Sequence, residues 1–493
     1  MEYEPVIGLE VHAQLLTESK MFCSCAANYI EAPPNSHVCP VCLGMPGVLP
    51  VINKKAVEYT IMTALALNCS IAQQTKFDRK NYPYPDLMKG YQISQYDMPL
   101  SKEGWLTIDV DGHTKRVGIT RVHLEEDTAK LHHREAPSGK AYSQVDVNRS
   151  GVPLMEIVGE PELRSPEEAR QYLVKVRSIL QYLGVSSGNM EDGTFRCDAN
   201  ISIRPKGNSQ LYTKVEVKNM NSFKAVYKAL QYEVERQIKA TEEERPLVQE
   251  TRGWVEEQGI TVSQRSKEYA HDYRYFPEPD LPSLTIDIEW VEEIRKRLPE
   301  LPDARRERFT KKYDLSPYDA RLLTSSKEMA DFFEQCLKLR SRSREAPSNH
   351  RAKVVSNWML GDFSHLLNAQ GVEIFESKVT PETLSEMLDL IEDGTLSGKM
   401  AKTVFEEMFR TGKKASQVVK EQGLAQMSDT QLLAPIIEEV ISSNPQPVAD
   451  FMKGKEQALK FLVGQVMKAT RGQANPALVN QFLEEKLRTA KKG

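Results

Sequence analysis

The pattern of apolar residues changes once along the chain, near residue 292, and this change constrains the fold more than any other feature. Before it, segments such as QVDVNRSGVPLMEIVGE alternate apolar and polar residues, as half-buried strands do. Two helices interrupt these strands, the first framed by Ser165 as N-cap and Gly184 as its stop. After residue 292 the strand pattern disappears and capped helices follow one another. The sequence therefore predicts an α+β fold with an antiparallel-sheet domain over 1–292, an all-α helical domain over 293–398 and a small helical tail domain over 399–493.

Charge and hydropathy exclude two broad classes of protein. The net charge of −4 does not fit a general nucleic-acid coat, so any nucleic-acid contact must be a local patch. No apolar run approaches the roughly 20 residues that a membrane-spanning helix needs. The beginning, MEYEPVIGLE, is acidic and enters a strand pattern at once, unlike a signal peptide. We expect a cytoplasmic protein without membrane contact.

Four of the seven cysteines are clustered in two pairs, Cys23 with Cys25 and Cys39 with Cys42. Two thiolate pairs on short turns can close a tetrahedron around zinc, which would order the polar loop between them. The alternatives are four unligated thiols or a redox pair, and His37 is a possible substitute ligand outside the pair pattern. Because cysteine fills all four positions, we expect the Zn²⁺ to be structural, within a loop embedded in the first domain.

The stretch GLEVHAQL places Glu10 and His12 on one face of a predicted strand, with apolar residues on the other. This face either lies in water or points into a site that holds a metal or a phosphate-bearing substrate. The pattern alone does not decide between the two.

Further acidic residues stand in the same domain at positions where strands prefer apolar ones. Together with Glu10 and His12 they predict a carboxylate-rich site for Mg²⁺ or Mn²⁺, ions that bridge carboxylates to nucleotide phosphates. Nearby cations would neutralise a transferred phosphoryl group. No phosphate-binding loop of the G-x-x-x-x-G-K-[ST] type occurs. The acidic candidates are Glu125, Glu126, Glu156, Asp192, Asp198 and Glu216, and the basic ones are Arg196, Lys214 and Lys218.

Several long motifs follow one another in the order of a known family. They include GLEVHAQL, the two cysteine pairs, RKNYPYPDLMKGYQISQ, HLEEDTAK, VDVNRSGVPLMEIV, RCDANISI, EVKNMNSF and HDYRYFPEPDLP, and the tail motif GKEQALKFLVGQVMKAT. The chain resembles, over nearly its whole length, the B subunits of bacterial aspartyl/glutamyl-tRNA amidotransferases. The resemblance implies a cradle domain with a kinase and transamidation site, a helical domain, and a tail that engages tRNA.

The resemblance also implies the reaction and the partners. ATP would phosphorylate the side-chain carboxylate of misacylated Glu-tRNA(Gln) or Asp-tRNA(Asn), and ammonia would displace the phosphate. The ammonia would come through a tunnel from an amidase A subunit, with a small C subunit completing a heterotrimer. Such an enzyme is a carbon–nitrogen ligase, and ATP and Mg²⁺ would be its cofactors.

Residue roles are implied in the same way. His12, Glu125 and Glu156 would ligate the metal, with Glu10, Glu126 and Asp192 as further ligands or polar relays, and which of Glu125 and Glu126 points inward stays open. The cofactor-binding candidates, which would meet the nucleotide or the tRNA end, are Arg79, Lys80, Asn81, Lys89, Arg196 and Lys218. The tRNA-binding candidates in the tail are Lys453, Lys455, Lys468 and Arg471.

The chain departs from the family pattern at Pro83, in place of an aromatic residue, and at Met88, in place of a proline. The loss of one ring weakens the expectation that this loop stacks on the terminal adenosine. Two other functions remain possible. The archaeal-type relative is disfavoured because there is no room for its inserted domain. A non-catalytic tRNA-binding scaffold is disfavoured because the carboxylate and histidine positions persist.

Overall fold

The computed structural model describes residues 2–266, 273–339, 349–424, 430–453, 455–470 and 474–490. The protein is a mixed α+β molecule that divides into two compact units, Met1–Pro302 and Asp303–Gly493. Over these described ranges, none of the helices combines the length and the apolarity needed to cross a membrane.

The first unit is built around one large sheet. In the described residues the strands of this unit, including those of its smaller sheets, are β1 (Tyr3–Gln14), β2 (Ser70–Ile71), β3 (Gln74–Thr75), β4 (Asp78–Asn81), β5 (Tyr91–Ser94), β6 (Ser101–Val110), β7 (His113–Glu126), β8 (Lys130–Glu135), β9 (Ala141–Asp146), β10 (Pro153–Gly159), β11 (Phe195–Pro205), β12 (Val215–Lys218), β13 (Glu250–Val255), β14 (Ile260–Ser266), β15 (Phe276–Pro277) and β16 (Leu284–Thr285). The large sheet has the order β14-β13-β12-β11-β1-β10-β7-β6-β2, and smaller sheets are formed by β15-β4-β5, by β16-β3 and by β8-β9.

Strand β1 lies in the middle of the large sheet, antiparallel to both of its neighbours, β10 and β11. The predicted alternation is confirmed on its apolar face, where Leu9, Val11 and Ala13 are buried. Helices cover this face and complete the core. The helices of this unit are α1 (Lys54–Ala66), α2 (Pro166–Leu183), α3 (Phe223–Glu242) and α4 (Ile288–Arg297), with a 3-10 turn at Val147–Arg149.

The predicted ends of α2 are confirmed. The Ser165 side chain accepts a hydrogen bond from the Glu168 backbone N–H, which caps the first turn. Gly184 ends the helix with φ of 66°, a left-handed conformation that glycine adopts without steric cost.

The sheet is not purely antiparallel, which corrects the prediction. Strands β12 and β13 are parallel, with Val217 opposite Arg252. The reason is the connection: α3 lies between them in sequence, and a helical crossover returns the chain to the same end of the sheet. The sequence pattern showed both strands and the helix but not their relative direction.

The second unit is helical in the residues described. Its helices are α5 (Pro302–Tyr313), α6 (Pro317–Leu323), α7 (Lys327–Lys338), α8 (Asn349–Trp358), α9 (Ser364–Gln370), α10 (Pro381–Glu392), α11 (Gly398–Thr411), α12 (Ala415–Gln422), α13 (Thr430–Ser443), α14 (Pro445–Met452), α15 (Glu456–Ala469) and α16 (Pro476–Ala490). One hydrophobic core runs from Phe309 to Val419 and a separate one from Leu433 to Leu487. The domain boundaries at residues 292 and 398 stay predictions; α11 and α12 contribute to the first of these cores.

Candidate active site

A row of polar side chains crosses the centre of the large sheet. The strand register places His123 opposite Glu156, Glu156 opposite His12, and His12 opposite Arg196. Directly opposed residues of antiparallel strands project from the same face. The polar face of β1 is therefore one part of a polar surface that four strands build together.

His12, Glu125 and Glu156 come together in this surface. His12 Nε2 lies 3.7 Å from Glu125 Oε1 and 3.7 Å from Glu156 Oε2. One ligand atom from each residue lies within 4.8 Å of the other two. Ligands of one octahedral Mg²⁺ or Mn²⁺ ion stand roughly 3 to 4 Å apart, so small side-chain movements would fit this donor set to the ion. The three predicted ligands therefore form a suitable cation site, and three protein ligands leave positions open for a substrate.

Two further residues orient the carboxylates of this cluster. His123 Nε2 lies 3.1 Å from Glu156 Oε2, and the Ser94 hydroxyl donates to Glu125 Oε2 at 3.1 Å. Burial opposes ionisation of Glu156, but the two neighbouring histidines hold the pKa of this carboxyl well below its usual value. The sequence prediction missed His123; its position two residues before Glu125 on one strand was the available signal.

Glu125 and Glu126 point to different surroundings, which answers the question that the sequence left open. Glu125 belongs to the cation cluster. Glu126 Oε1 accepts a hydrogen bond from the Ile93 backbone N–H at 3.0 Å and forms an ion pair with Lys89. Neighbouring strand residues project from opposite faces, so only one of the two glutamates reaches the cluster.

Glu10 lies next to the cluster on the same face. Its carboxylate accepts a hydrogen bond from Asn200 Nδ2 at 2.8 Å, and Asp198 stands directly opposite it on β11. Burial raises the pKa of the Glu10 carboxyl, and the charges of Glu156 and Asp198 raise it further. Lys218 forms an ion pair with Asp198, so a cation already balances part of this acidic group.

A cleft of about 1420 Å³ lies beside this surface: Arg196 of the polar row lines it, whereas His12, Glu125 and Glu156 are not in its described lining. Of the predicted site residues, Lys80, Asp192, Arg196, Asp198 and Lys218 line it. Asp192 lies in the loop before β11, where its carboxylate accepts from Asn189 Nδ2 at 2.7 Å. Four tyrosines also line the cleft: Tyr29, Tyr82, Tyr84 and Tyr273.

The predicted loop around β4 is divided between two environments. Lys80 lines the cleft, with Nζ 5.0 Å from the centre of the Tyr273 ring. Burial alone would lower the pKa of Lys80, but Glu125 and other negative groups nearby hold it above its usual value. Arg79 instead makes two 2.7 Å hydrogen bonds to Glu278.

Arg79, Asn81 and Lys89 do not belong to the described lining of this cleft. Asn81 donates to the backbone carbonyl of Arg274 at 3.0 Å, in the segment just before β15. Arg79 and Lys89 line a separate cavity of about 210 Å³ beside the cysteine loop.

Asp127 is a buried residue of the site that the sequence prediction missed. It is 3% exposed and accepts hydrogen bonds from Gln14 Nε2 at 2.7 Å and from Arg196 Nη2 at 3.0 Å. Burial favours its neutral form, but Arg196 and Arg149 hold the pKa of Asp127 below its usual value. No pattern of spacing distinguished it from the two glutamates that precede it.

The four clustered cysteines also come together. One Sγ atom from each of Cys23, Cys25, Cys39 and Cys42 lies within 4.8 Å of the others. Cys42 Sγ is 3.9 Å from Cys39 Sγ, and sulfur atoms around tetrahedral Zn²⁺ stand about 3.8 Å apart. The arrangement fits one zinc ion. His37 is not part of this group of four sulfur ligands.

The loop between the cysteine pairs reaches the cleft. Tyr29, Ile30, Ala32 and Pro34 line its wall. Asn148, in the 3-10 turn after β9, donates to the Pro33 carbonyl at 2.7 Å. The cysteine cluster therefore lies at the base of a segment that shapes the site.

Comparison with known proteins finds relatives that match this chain over nearly its whole length. Residues 5–292 match the GatB/GatE catalytic domain family, and residues 331–487 match the GatB domain family. The chain is 57% identical to the aspartyl/glutamyl-tRNA(Asn/Gln) amidotransferase B subunit of Carboxydothermus hydrogenoformans, over 99% of each chain. It is 57% identical to the protein of that name from Caldanaerobacter subterraneus, over 99% of this chain and 100% of the relative. With the one from Caldicellulosiruptor saccharolyticus the identity is 53%, over 99% of each chain.

Proposed function

The chain belongs to the family of aspartyl/glutamyl-tRNA(Asn/Gln) amidotransferase B subunits, and from this membership we propose that its cleft activates a carboxylate carried by tRNA. As a member of this family it is a subunit of a tRNA-dependent amidotransferase, a ligase that takes part in forming Gln-tRNA and Asn-tRNA. The observation that carries the proposal is the His12, Glu125 and Glu156 cluster beside a cleft that contains Lys80, Arg196 and Lys218.

The proposed reaction has two steps. ATP phosphorylates the side-chain carboxylate of Glu-tRNA(Gln) or Asp-tRNA(Asn), and ammonia then displaces the phosphate to give the amide. An ionised carboxylate is a poor acyl donor to ammonia, and conversion to an acyl phosphate supplies a leaving group. The site must bring a triphosphate and a carboxylate together, which requires fixed positive charge.

His12, Glu125 and Glu156 would hold Mg²⁺ or Mn²⁺, which supplies Lewis-acid stabilisation of phosphate charge when it is bound. Glu10 and Asp192 would act near these three ligands as polar relays, through hydrogen bonds. Lys80 has no carboxylate within ion-pair distance among the described residues and lines the cleft, so its ammonium would face the transferred phosphoryl group. Lys218 would balance Asp198 and orient it.

The neutral nucleophile explains why no nucleophilic side chain is required here. We propose that an amidase A subunit releases ammonia from glutamine, and that a small C subunit joins the two in a cytoplasmic heterotrimer. Ion pairing holds Lys89 on Glu126, outside the described lining of the cleft, and Arg79 on Glu278. These residues would therefore stabilise the segments next to the cleft and would not contact the nucleotide.

The helical tail is proposed to contact tRNA. Lys453, Lys455 and Lys468 are exposed there. Lys455 forms an ion pair with Asp450, with Nζ 3.1 Å from Oδ1. Arg471, predicted with them, lies outside the described residues. Recognition of tRNA rests largely on shape and phosphate contacts, which lysines on short helices can supply.

The test is ATP cleavage by the chain purified with its A and C partners, with ammonium as the nitrogen donor. Glu-tRNA(Gln), uncharged tRNA and no tRNA are compared for the wild type and for His12→Ala and Glu156→Ala. His113→Ala is the matched control, because His113 is an exposed residue at the far end of β7.

We expect misacylated tRNA to stimulate cleavage and amidated tRNA to form, with both lost in the two site variants and kept in the control. Binding of tRNA without charged-tRNA-dependent cleavage under any condition would instead favour a non-catalytic scaffold.

A further inference from the structure

We propose that Arg149 and Arg196 form a paired-arginine site that binds a phosphate group in the cleft, with Asp127 as the residue that holds them together. This inference deepens the proposed function and rests on it, since it names the side chains that would bind the phosphate-bearing substrate. Arg149 was not among the residues that the sequence singled out.

The pair is organised by one carboxylate. Arg149 Nε lies 3.6 Å from Asp127 Oδ1, and Arg196 Nη2 lies 3.0 Å from Asp127 Oδ2. Two guanidinium groups therefore share a single buried negative charge, which leaves one positive charge uncompensated within the trio. Like charges repel, and Asp127 offsets that repulsion at this position.

Arg149 is fixed further by the backbone. Its Nε donates to the Thr128 carbonyl at 2.8 Å, and its Nη2 donates to the Ala129 carbonyl at 2.8 Å. It ends the 3-10 turn Val147–Arg149, whose first residue follows the capping carboxylate of Asp146. A guanidinium that is already held loses little conformational entropy when it binds an anion.

Both arginines keep donors for a ligand. They line the cleft, and their side chains are 19% and 34% exposed. Nη1 of Arg149 and both Nε and Nη1 of Arg196 have no hydrogen-bond partner in the part of the chain that the structure describes. Neighbouring guanidiniums with free N–H groups match the several acceptor oxygens of a phosphate.

The cleft lining also carries Asp86, Asp146, Glu191, Asp192 and Asp198, but in the described residues only Asp127 lies within ion-pair distance of either arginine. Asp86 accepts a hydrogen bond from the Thr128 hydroxyl at 2.8 Å, and Asp198 is ion-paired with Lys218. Asp146 accepts from two backbone N–H groups. The ligand class is therefore a phosphate, which two sources can supply: the triphosphate of ATP, or a phosphodiester near the 3′ end of tRNA.

The experiment measures binding by the assembled amidotransferase carrying Arg149→Gln or Arg196→Gln. Equilibrium dialysis gives the Kd of ATP without tRNA, and filter binding gives the Kd of uncharged tRNA(Gln) with and without its terminal CCA. Arg204→Gln is the matched control: Arg204 lies on β11 like Arg196, pairs with Glu4 at 2.6 Å, and is not part of the described lining of the cleft.

We expect each glutamine variant to raise the Kd of one of the two ligands about tenfold or more, because charge-assisted hydrogen bonds are lost. The Kd values of Arg204→Gln should equal those of the wild type. A loss confined to ATP assigns the site to the triphosphate. A loss confined to tRNA that carries its CCA end assigns it to the tRNA backbone. Arg149→Lys and Arg196→Lys, which keep the charge without the planar fork, should lie between wild type and the glutamine variants.

Wild-type Kd values for both ligands in both glutamine variants would overturn the inference and leave the proposed function standing. Failure of the wild type to bind either ligand would overturn the proposed function itself. If a glutamine variant does not fold by circular dichroism, the lysine variants decide: unchanged affinity for both ligands, with the wild-type dependence on salt, would overturn the inference.

Discussion

His123 Nε2 lies 3.1 Å from Glu156 Oε2, and the two side chains face each other across strands β7 and β10. Because partners of this kind orient a ligating carboxylate, we expect His123→Ala to weaken divalent-cation binding roughly 10- to 100-fold. Titration with Mn²⁺, followed by electron paramagnetic resonance of the free ion, measures the effect. His133→Ala is the control, since that ring is exposed and bonds Ser143. Equal affinity in both variants would mean that His123 only packs against the site.

Glu125 and Glu126 provide a matched pair, because both are nearly fully buried at 3% and 4% exposure. We expect Glu125→Gln to remove most Mn²⁺ binding and ATP cleavage. Glu126→Gln should leave Mn²⁺ affinity within about twofold, because its carboxylate bonds Ile93 and Lys89 instead of the cluster. The same Mn²⁺ titration separates them, and an equal loss in both variants would contradict the assignment of Glu125 to the metal.

Replacement of Cys39 by serine should abolish zinc binding. Zinc measured by plasma mass spectrometry is expected to fall from about one ion per chain to nearly none, since a structural site needs all four ligands. Hydrogen exchange over residues 26–38 should accelerate at the same time, because this segment depends on the cluster for its order. Cys336→Ala is the control: that cysteine lies outside the four-cysteine group. Retention of one zinc ion by the Cys39 variant would exclude this ligand set.

The depressed pKa of Glu334 predicts that the helical unit loses stability in acid. Burial favours its neutral form, but the guanidinium groups of Arg308 and Arg305 lower its pKa to about 2. A carboxyl whose pKa is depressed on folding contributes stability above its unfolded value near 4.5, and the contribution is lost as the pH falls from there toward 2. Hydrogen exchange of residues 303–338, corrected for intrinsic rates, should therefore show less protection at pH 3 than at pH 6.

Glu334→Gln tests this cause. The variant should be less protected than wild type at pH 6 and should lose less protection on acidification, because its side chain does not titrate. An equally steep loss in the variant would assign the acid sensitivity to other carboxyls.

The sequence predicted correctly those features of the site that depend on local sequence alone. Alternation correctly placed Glu10 and His12 on the polar face of β1, and the two cysteine pairs predicted the cluster of four sulfurs. Register between strands is not encoded in the alternation, since every second residue of any strand fits equally well. His123 opposite Glu156 therefore appeared only in the structure.

The same limit explains the remaining differences. Neighbouring residues on a strand face opposite ways, so sequence proximity grouped Arg79 with Lys80 although the structure separates them. Asp127 was missed because its partners, Gln14 and Arg196, are far from it in sequence. The direction of β13 depends on a crossover, which hydrophobic periodicity does not report.

The central place of β1 has a consequence for biosynthesis. Its neighbour β11 follows it by roughly 190 residues, and a ribosome adds about 5 to 20 residues per second. The strand that carries His12 must therefore wait roughly 10 to 40 s after it is made before the sheet can close around it. Nascent chains that end before residue 195 should expose β1 to protease, and chains that have released residue 205 from the ribosome should protect it.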